Sequence, residues 1–315
     1  MDESTRTEVI KGHGTGNDFI LIPDPEAAVD LTAGLVRSLA DRHRGIGADG
    51  VIRLATAGVL VRRGVLEGLP EDVRDDDWFM DYRNADGSVA EMCGNGVRVF
   101  AHALSALSLT DPGQFNDDGT LRVGTRAGRR DVRIHSVTDT DAEVSVDMGV
   151  PVITGTSAAT LDGVRYEGVG VDMGNPHLAC VVPGLSAAGL ADLRVDRAPD
   201  YDTGVFPTGV NLELVTALRD GGVHMRVHER GVGETLSCGT GTVAAAVAAL
   251  VDRFDGAAGT PQTWEETVRV VVPGGEVAVT VGADGEGRPT AATLRGPSKL
   301  VFTTEVTTGT TATEA

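Results

Sequence analysis

The chain has 315 residues, a formal net charge of −19, 41% hydrophobic and only 4% aromatic residues, and 42 glycines. That charge argues against nucleic acid or an anionic membrane as partner, because phosphate contact needs clustered Lys and Arg. The acidic start, MDESTRTEVI, lacks the basic and apolar regions of a signal peptide, and the longest apolar run, Val243 to Val251, is too short to span a bilayer. A cytoplasmic protein is expected.

Low aromatic content with many glycines points to strands of Val, Ala and Leu joined by tight turns. In chain order, GNDFILI from Gly16 reads as a turn entering a strand, and Leu31 to Arg42 as a helix. Residues 61–77, VRRGVLEGLPEDVRDDD, are expected to be an acidic surface loop. In EMCGNGVRVFA (91–101), Cys93 precedes Gly94, Asn95 and Gly96 and then Val97, Val99, Phe100, Ala101, Ala103 and Leu104, spaced for a buried helix face. This puts Cys93 at a helix mouth, where free N–H groups and the helix dipole favour a thiolate.

Glu143 to Met148 alternates as a strand, GNPHLACVV from Gly174 repeats the turn-into-strand pattern, and Ala187 to Leu193 reads as a helix. Strands follow at Leu212 to Val215 and Val223 to Val227, then SCGTGTVAAAVAAL (237–250), then strands at Val268 to Val272 and Val277 to Val281. The tail from 304 to 315 is expected to be disordered.

The chain repeats itself. Aligning Cys238 with Cys93 matches Gly239 to Gly94, Thr240 to Asn95 and Gly241 to Gly96, 145 residues apart, and the two Gly-Asn turns lie 158 apart. Two related halves explain both offsets: residues 1–145 carrying Cys93 and 146–303 carrying Cys238. The predicted class is α+β, two pseudo-symmetric domains, each a mostly antiparallel or mixed sheet wrapped around a central apolar helix.

Cys93, Cys180 and Cys238 are spaced too widely for a zinc knuckle or a C-x-x-C pair, so reduced thiols and no metal site are expected, with a redox pair as the alternative. The two lysines, Lys11 and Lys299, leave few candidates for a Schiff base, and no cofactor is expected. Related halves bring equivalent loops to one cleft. A thiolate and a thiol on opposite faces of a carbon then remove and deliver a proton and invert the centre. Backbone donors of Gly94, Asn95, Gly239 and Thr240 suit an α-carboxylate on which charge builds.

GTGNDF (14–19), GIGADG (45–50), NADGSVAEMCGNGVR (84–98), MGNPH (173–177), GVN (209–211) and HERGVGETLSCGTG (228–241) resemble the successive signatures of the diaminopimelate epimerase family. The resemblance implies conversion of LL- to meso-diaminopimelate without pyridoxal phosphate, for lysine and peptidoglycan precursors, by a homodimer. It makes Cys93 and Cys238 the catalytic pair, with His177 and Glu229 tuning the sulfurs. It gives substrate contacts to Asn17, Asn84, Asn175, Asn211, Glu229 and Arg230, and carboxylate cradles to Gly94-Asn95 and Gly239-Thr240. Cys180, in the apolar run LACVV, reads as core. Two positions depart from the family pattern: Gly50 stands where many members have Gln, and Phe302 where a Tyr often lies at the dimer interface. Two rival readings remain: a racemase of proline, hydroxyproline or histidine, and a non-catalytic protein that binds an anion or senses oxidants.

Overall fold

The computed structural model describes residues 6–255 and 263–308, and the chain divides into two compact units. The first comprises the chain up to Gly14, Asp18–Val144 and the chain from Ser298 on; the second comprises Thr15–Asn17 and Ser145–Pro297. The division falls after Val144, and the chain from Ser298 on groups with the first unit.

The first unit contains β1 (Arg6–Gly14), β2 (Asn17–Pro23), α1 (Ala33–Ala40), β3 (Gly50–Thr56), α2 (Ala57–Arg62), β4 (Trp78–Asn84), α3 (Gly94–Ala106), β5 (Leu121–Thr125), β6 (Gly128–Val137) and the start of β7 (Asp141–Gly149). Its sheet is mixed: β2 runs parallel to β3, β3 antiparallel to β4, β4 parallel to β5 and β5 antiparallel to β6. The Thr32 hydroxyl caps α1 by accepting the Leu35 N–H. Asp41 ends it by accepting the N–H groups of His43 and Arg44, which makes the helix shorter than the 31–42 expected.

The central element is α3, buried from Gly94 to Leu104 and packed on β1, β3, β4, β5 and β6. Val97, Val99, Phe100 and Leu104 are wholly buried, each contributing about 2 kcal/mol of apolar burial. Segment 61–77 is not simply a surface loop. Glu67, Glu71, Asp72, Asp75 and Asp76 face solvent, but Leu66 and Val73 pack on Ala55, Leu60 and Phe79, and buried Asp77 pairs with Arg122 at 2.8 Å.

The second unit contains the rest of β7, then β8 (Val152–Leu161), β9 (Val164–Asp172), β10 (Pro176–Val182), α4 (Ala187–Ala191), β11 (Asp200–Tyr201), β12 (Asn211–Thr216), β13 (Gly222–Glu229), β14 (Gly233–Thr235), α5 (Gly239–Asp255), β15 (Trp264–Val272), β16 (Gly275–Ala283) and the start of β17 (Pro289–Thr307). Most pairings are antiparallel; β10 with β12 and β13 with β15 are parallel. Helix α5 is apolar and buried from Val243 to Leu250 and packs on β9, β10, β12, β13, β15 and β16. Leu212 and Leu214 point the other way, into a cluster with Leu178, Cys180, Leu190 and Phe206. All six residues of β12 are buried as a result. Each unit is thus a mixed sheet around one central helix, the pseudo-symmetric α+β arrangement expected.

Strand β17 continues to Thr307 and pairs antiparallel with β1, from His13↔Lys299 to Arg6↔Thr307. The expected disorder therefore does not begin at 304, because main-chain pairing with β1 orders 304–307; positions 309–315 lie outside the described residues. No helix among the described residues is long and apolar enough to cross a membrane.

Candidate active site

In the first unit Cys93 is the N-cap of α3, with extended backbone (φ −145°, ψ 116°), and its Sγ accepts the Gly96 N–H at 3.4 Å. Gly94 and Asn95 form the buried first turn behind it. Glycine suits position 96, since a Cβ there would lie 3.4 Å from the Cys93 Cβ and 3.3 Å from Ile52. The wholly buried Arg98 guanidinium lies close enough for its charge to act on Cys93; burial lowers its pKa to about 10, opposed by negative charge on Cys93 and Glu143. Gly14 leaves room for it, as a Cβ there would stand 3.0 Å from the guanidinium. Sequence reasoning did not single out Arg98, although it closes the motif NADGSVAEMCGNGVR. Asn84 ends β4 opposite Gly50 and donates to the Ser88 hydroxyl at 3.0 Å.

Gly50 has no space for a side chain: a Cβ would meet the Tyr82 ring at 2.4 Å and the Arg83 carbonyl at 2.6 Å.

The second unit repeats the cap. Cys238 immediately precedes α5, and its Sγ accepts the Gly241 N–H at 3.4 Å, the same distance as at Cys93. The Thr240 hydroxyl lies 3.5 Å from Sγ. Burial, then the negative charges of Glu229 and Glu213, push the Cys238 thiol well above its ordinary range, against smaller lowering effects of Thr240 and Gly241. Cys180 sits in the apolar cluster on the far face of the sheet, pushed up to about 12 by burial. All three cysteines are free.

Hydrogen bonds tie together most of the expected residues of this unit. Asn175 donates to Thr240 Oγ1 at 3.4 Å, and His177 Nε2 lies 3.1 Å from Asn175 Oδ1. Asn211 donates to the Pro176 carbonyl at 3.0 Å and accepts the Arg230 N–H at 2.9 Å. The Arg230 methylenes lie against Gly209, and its guanidinium donates to the Thr208 carbonyl at 3.0 Å. Thr235 donates its hydroxyl to Glu229. Asn17 opens β2 and, with Thr15 and Gly16, groups with this unit; the Thr15 hydroxyl bonds that of Ser237 at 2.9 Å. The residue missed is Glu213, wholly buried on β12, with Oε1 2.6 Å from His177 Nδ1 and its pKa raised by burial to about 7. Among the described residues no group of three His, Cys, Asp or Glu side chains is arranged to hold a metal ion.

The sequence pattern described as diaminopimelate epimerase matches residues 9–154 and 169–301, most of the chain. The chain belongs to the diaminopimelate epimerase family. It is thereby an isomerase, with both cysteine loops inside the matched segments. A diaminopimelate epimerase of Rhodococcus jostii is 57% identical over 291 residues, covering 92% of this chain and 94% of its own. One of Corynebacterium aurimucosum is 52% identical over 295 residues, covering 94% and 98%. Among solved structures, a probable proline racemase from Agrobacterium radiobacter with bound carbonate shares 16% of residues, covers 95% of this chain and 92% of its own, and superposes with a TM-score of 0.64. That likeness is one of fold.

Proposed function

We propose that the chain interconverts LL- and meso-diaminopimelate by two-base proton exchange at one α-carbon. A Cys93 thiolate takes the α-proton and becomes a thiol. The Cys238 thiol delivers its proton to the opposite face and becomes a thiolate, and the carbon inverts. The observation that carries this reading is the repeated cap: each unit offers one sulfur at a helix mouth, 3.4 Å from the N–H of the third following residue. The asymmetry between the two supports the assignment of roles. Cys238 is buried with Glu229 and Glu213 opposing its ionisation, so it rests as the proton donor; Cys93 is partly exposed, and the charge of buried Arg98 favours its thiolate.

The α-carboxylate fits the N–H groups of Gly94-Asn95 and Gly239-Thr240, at two helix N-termini, where donors aimed at developing charge contribute about 3–4 kcal/mol each. His177 and Glu229 act on the sulfurs through Asn175, Thr240 and charge. Asn17, Asn84, Asn175, Asn211, Glu229 and Arg230 hold the substrate, with Arg230 on the carboxylate of the centre that does not react. No cofactor or metal takes part. The setting is a cytoplasmic homodimer feeding lysine and peptidoglycan synthesis, and exposed Val301 and Phe302 on β17 suit the dimer contact.

The test is proton exchange in deuterated water. The purified chain incorporates deuterium at an α-carbon of LL-diaminopimelate and forms the meso isomer, with no exchange into proline or histidine. Exchange into proline and none into diaminopimelate would replace this reading with a small-substrate racemase.

A further inference from the structure

Glu213 is a carboxyl group with no exposure, on a strand buried on both faces, and its Oε2 has no hydrogen-bond partner among the described residues. An acid is unfavourable in such a place unless its other oxygen does something an apolar residue would not. That oxygen, Oε1, lies 2.6 Å from His177 Nδ1, and from there a continuous chain of contacts leads to sulfur: His177 Nε2 to Asn175 Oδ1 at 3.1 Å, Asn175 Nδ2 to Thr240 Oγ1 at 3.4 Å, and Thr240 Oγ1 to Cys238 Sγ at 3.5 Å. Every member belongs to the second unit.

The direction of this chain follows from what each atom is able to donate. Asn175 spends an amide N–H on Thr240, so its Oδ1 is the acceptor facing the imidazole, and His177 Nε2 must carry a proton. The short contact on the other side of the ring then holds one proton between Nδ1 and the Glu213 carboxyl. Thr240 Oγ1, already accepting from Asn175, keeps its own hydrogen free for sulfur. It donates when Cys238 is a thiolate and accepts S–H when Cys238 is a thiol, so one hydroxyl rotation serves both charge states without moving a heavy atom.

We propose that Glu213 is a positioning residue for Cys238: by fixing the proton on His177 Nε2 it orients Asn175 and Thr240, and so holds the sulfur in line through both halves of the exchange. The titratable groups around it are His177 and Cys180 on β10, Glu229 on β13 and Cys238 before α5. Burial raises the Glu213 pKa to about 7, which agrees with a carboxyl that shares its proton with the ring. Gly241 leaves the space the arrangement needs, since a Cβ there would stand 2.8 Å from Glu213 Oε1 and 3.3 Å from Cys238 Sγ. The inference rests on Cys238 being one of the two reacting sulfurs.

Two substitutions separate positioning from packing. In Glu213→Gln the amide N–H donates to Nδ1 and leaves the proton on Nε2; in Glu213→Leu nothing does. The measurements are kcat and KM with LL-diaminopimelate and the histidine ring ¹⁵N–¹H spectra of the unliganded protein, with the His177 signals assigned by a His177→Gln sample. Expected are an Nε2-protonated His177 in the parent and in Glu213→Gln, with kcat of the latter within about 5-fold of the parent. Glu213→Leu should lose about 30-fold or more in kcat with KM nearly unchanged, and its His177 should average between tautomers. A parent ring protonated on Nδ1 alone would overturn the proposal, and that spectrum needs no variant to fold. Parent kcat in Glu213→Leu, or equal losses in both variants, would overturn it as well. If the parent failed to turn over diaminopimelate, the substrate reading would fall and the spectra would still decide this one.

Discussion

The main-chain N–H of Arg230 donates to Asn211 Oδ1 at 2.9 Å, while the amide of the same asparagine donates to the Pro176 carbonyl at 3.0 Å. Asn211 is thus a staple between the start of β10 and the turn after β13, and Arg230 is held by its backbone as well as by its side chain. Asn211→Leu takes that partner from two part-buried main-chain groups, which costs about 1 kcal/mol in stability. Urea unfolding should show that loss, and kcat/KM for diaminopimelate should fall further than kcat as Arg230 loses its place.

Thiol reactivity should separate the three cysteines. At pH 7.5 iodoacetamide should label partly exposed Cys93 first and Cys238 far more slowly, with Cys180 unlabelled until the chain unfolds. Labelling of Cys238 should keep accelerating into the alkaline range, since a raised thiol pKa moves thiolate formation to higher pH. Peptide mapping by mass spectrometry reads all three; equal rates at Cys93 and Cys238 would contradict the assigned donor and acceptor. Cys93→Ala and Cys238→Ala should each abolish epimerisation.

Glu213 links stability to pH. Its carboxyl titrates at about 7 in the folded chain against an ordinary 4.5, so the folded state holds a proton that the unfolded state has released. The associated stability is complete below 4.5 and is lost as pH rises through 7, by about 3 kcal/mol in all. Between pH 5 and 8 the parent should therefore lose more stability than Glu213→Gln, which has nothing to ionise. Parallel curves for the two proteins would rule this out.

Asp77 and Arg122 are both buried, and Arg122 also donates to the Gly113 carbonyl at 3.0 Å. Asp77→Asn leaves the buried guanidinium with only the exposed Asp76 carboxylate, 3.8 Å away, as counter-charge and should destabilise the chain by about 3 kcal/mol. Neutralising the exposed neighbour, Asp76→Asn, should change thermal unfolding little.

Gly50→Gln, the change that the resemblance to the family suggests, should not act as a simple gain of a contact. The added Cβ meets the Tyr82 ring and the Arg83 carbonyl, and Arg83 cannot yield without bending β4 next to Asn84. The expected result is lower thermal stability and a raised KM. The double change Gly50→Gln with Tyr82→Phe should rescue little, because the ring and the carbonyl both remain.

Local signals explain which parts were legible beforehand. The cysteine caps and the two apolar helices were written in short stretches, Cys-Gly-x-Gly followed by a buried run, and these are the parts that match. Glu213 was not legible. In NLELV the alternation places Leu212 and Leu214 inward, and Glu213 then reads as the wet side of a half-covered strand; α5 covering the second face is a fact of tertiary packing. Segment 61–77 misled for a similar reason, since its many acids were visible but the partner of Asp77 lies 45 residues away. No local feature of LRGPSKLVF says which sheet it joins.

The path of β17 bears on how the chain is made. β1 is made long before β17 and pairs on one side with β2, which follows at once, but its other edge is matched by residues 299–307. At roughly 5–20 residues per second, that edge waits about 15–60 s for its partner. An unpaired strand edge is where a foreign strand adds on. Stalling or early release before residue 299 thus yields a product with an adhesive rim, however well its helix and cysteine loop have formed.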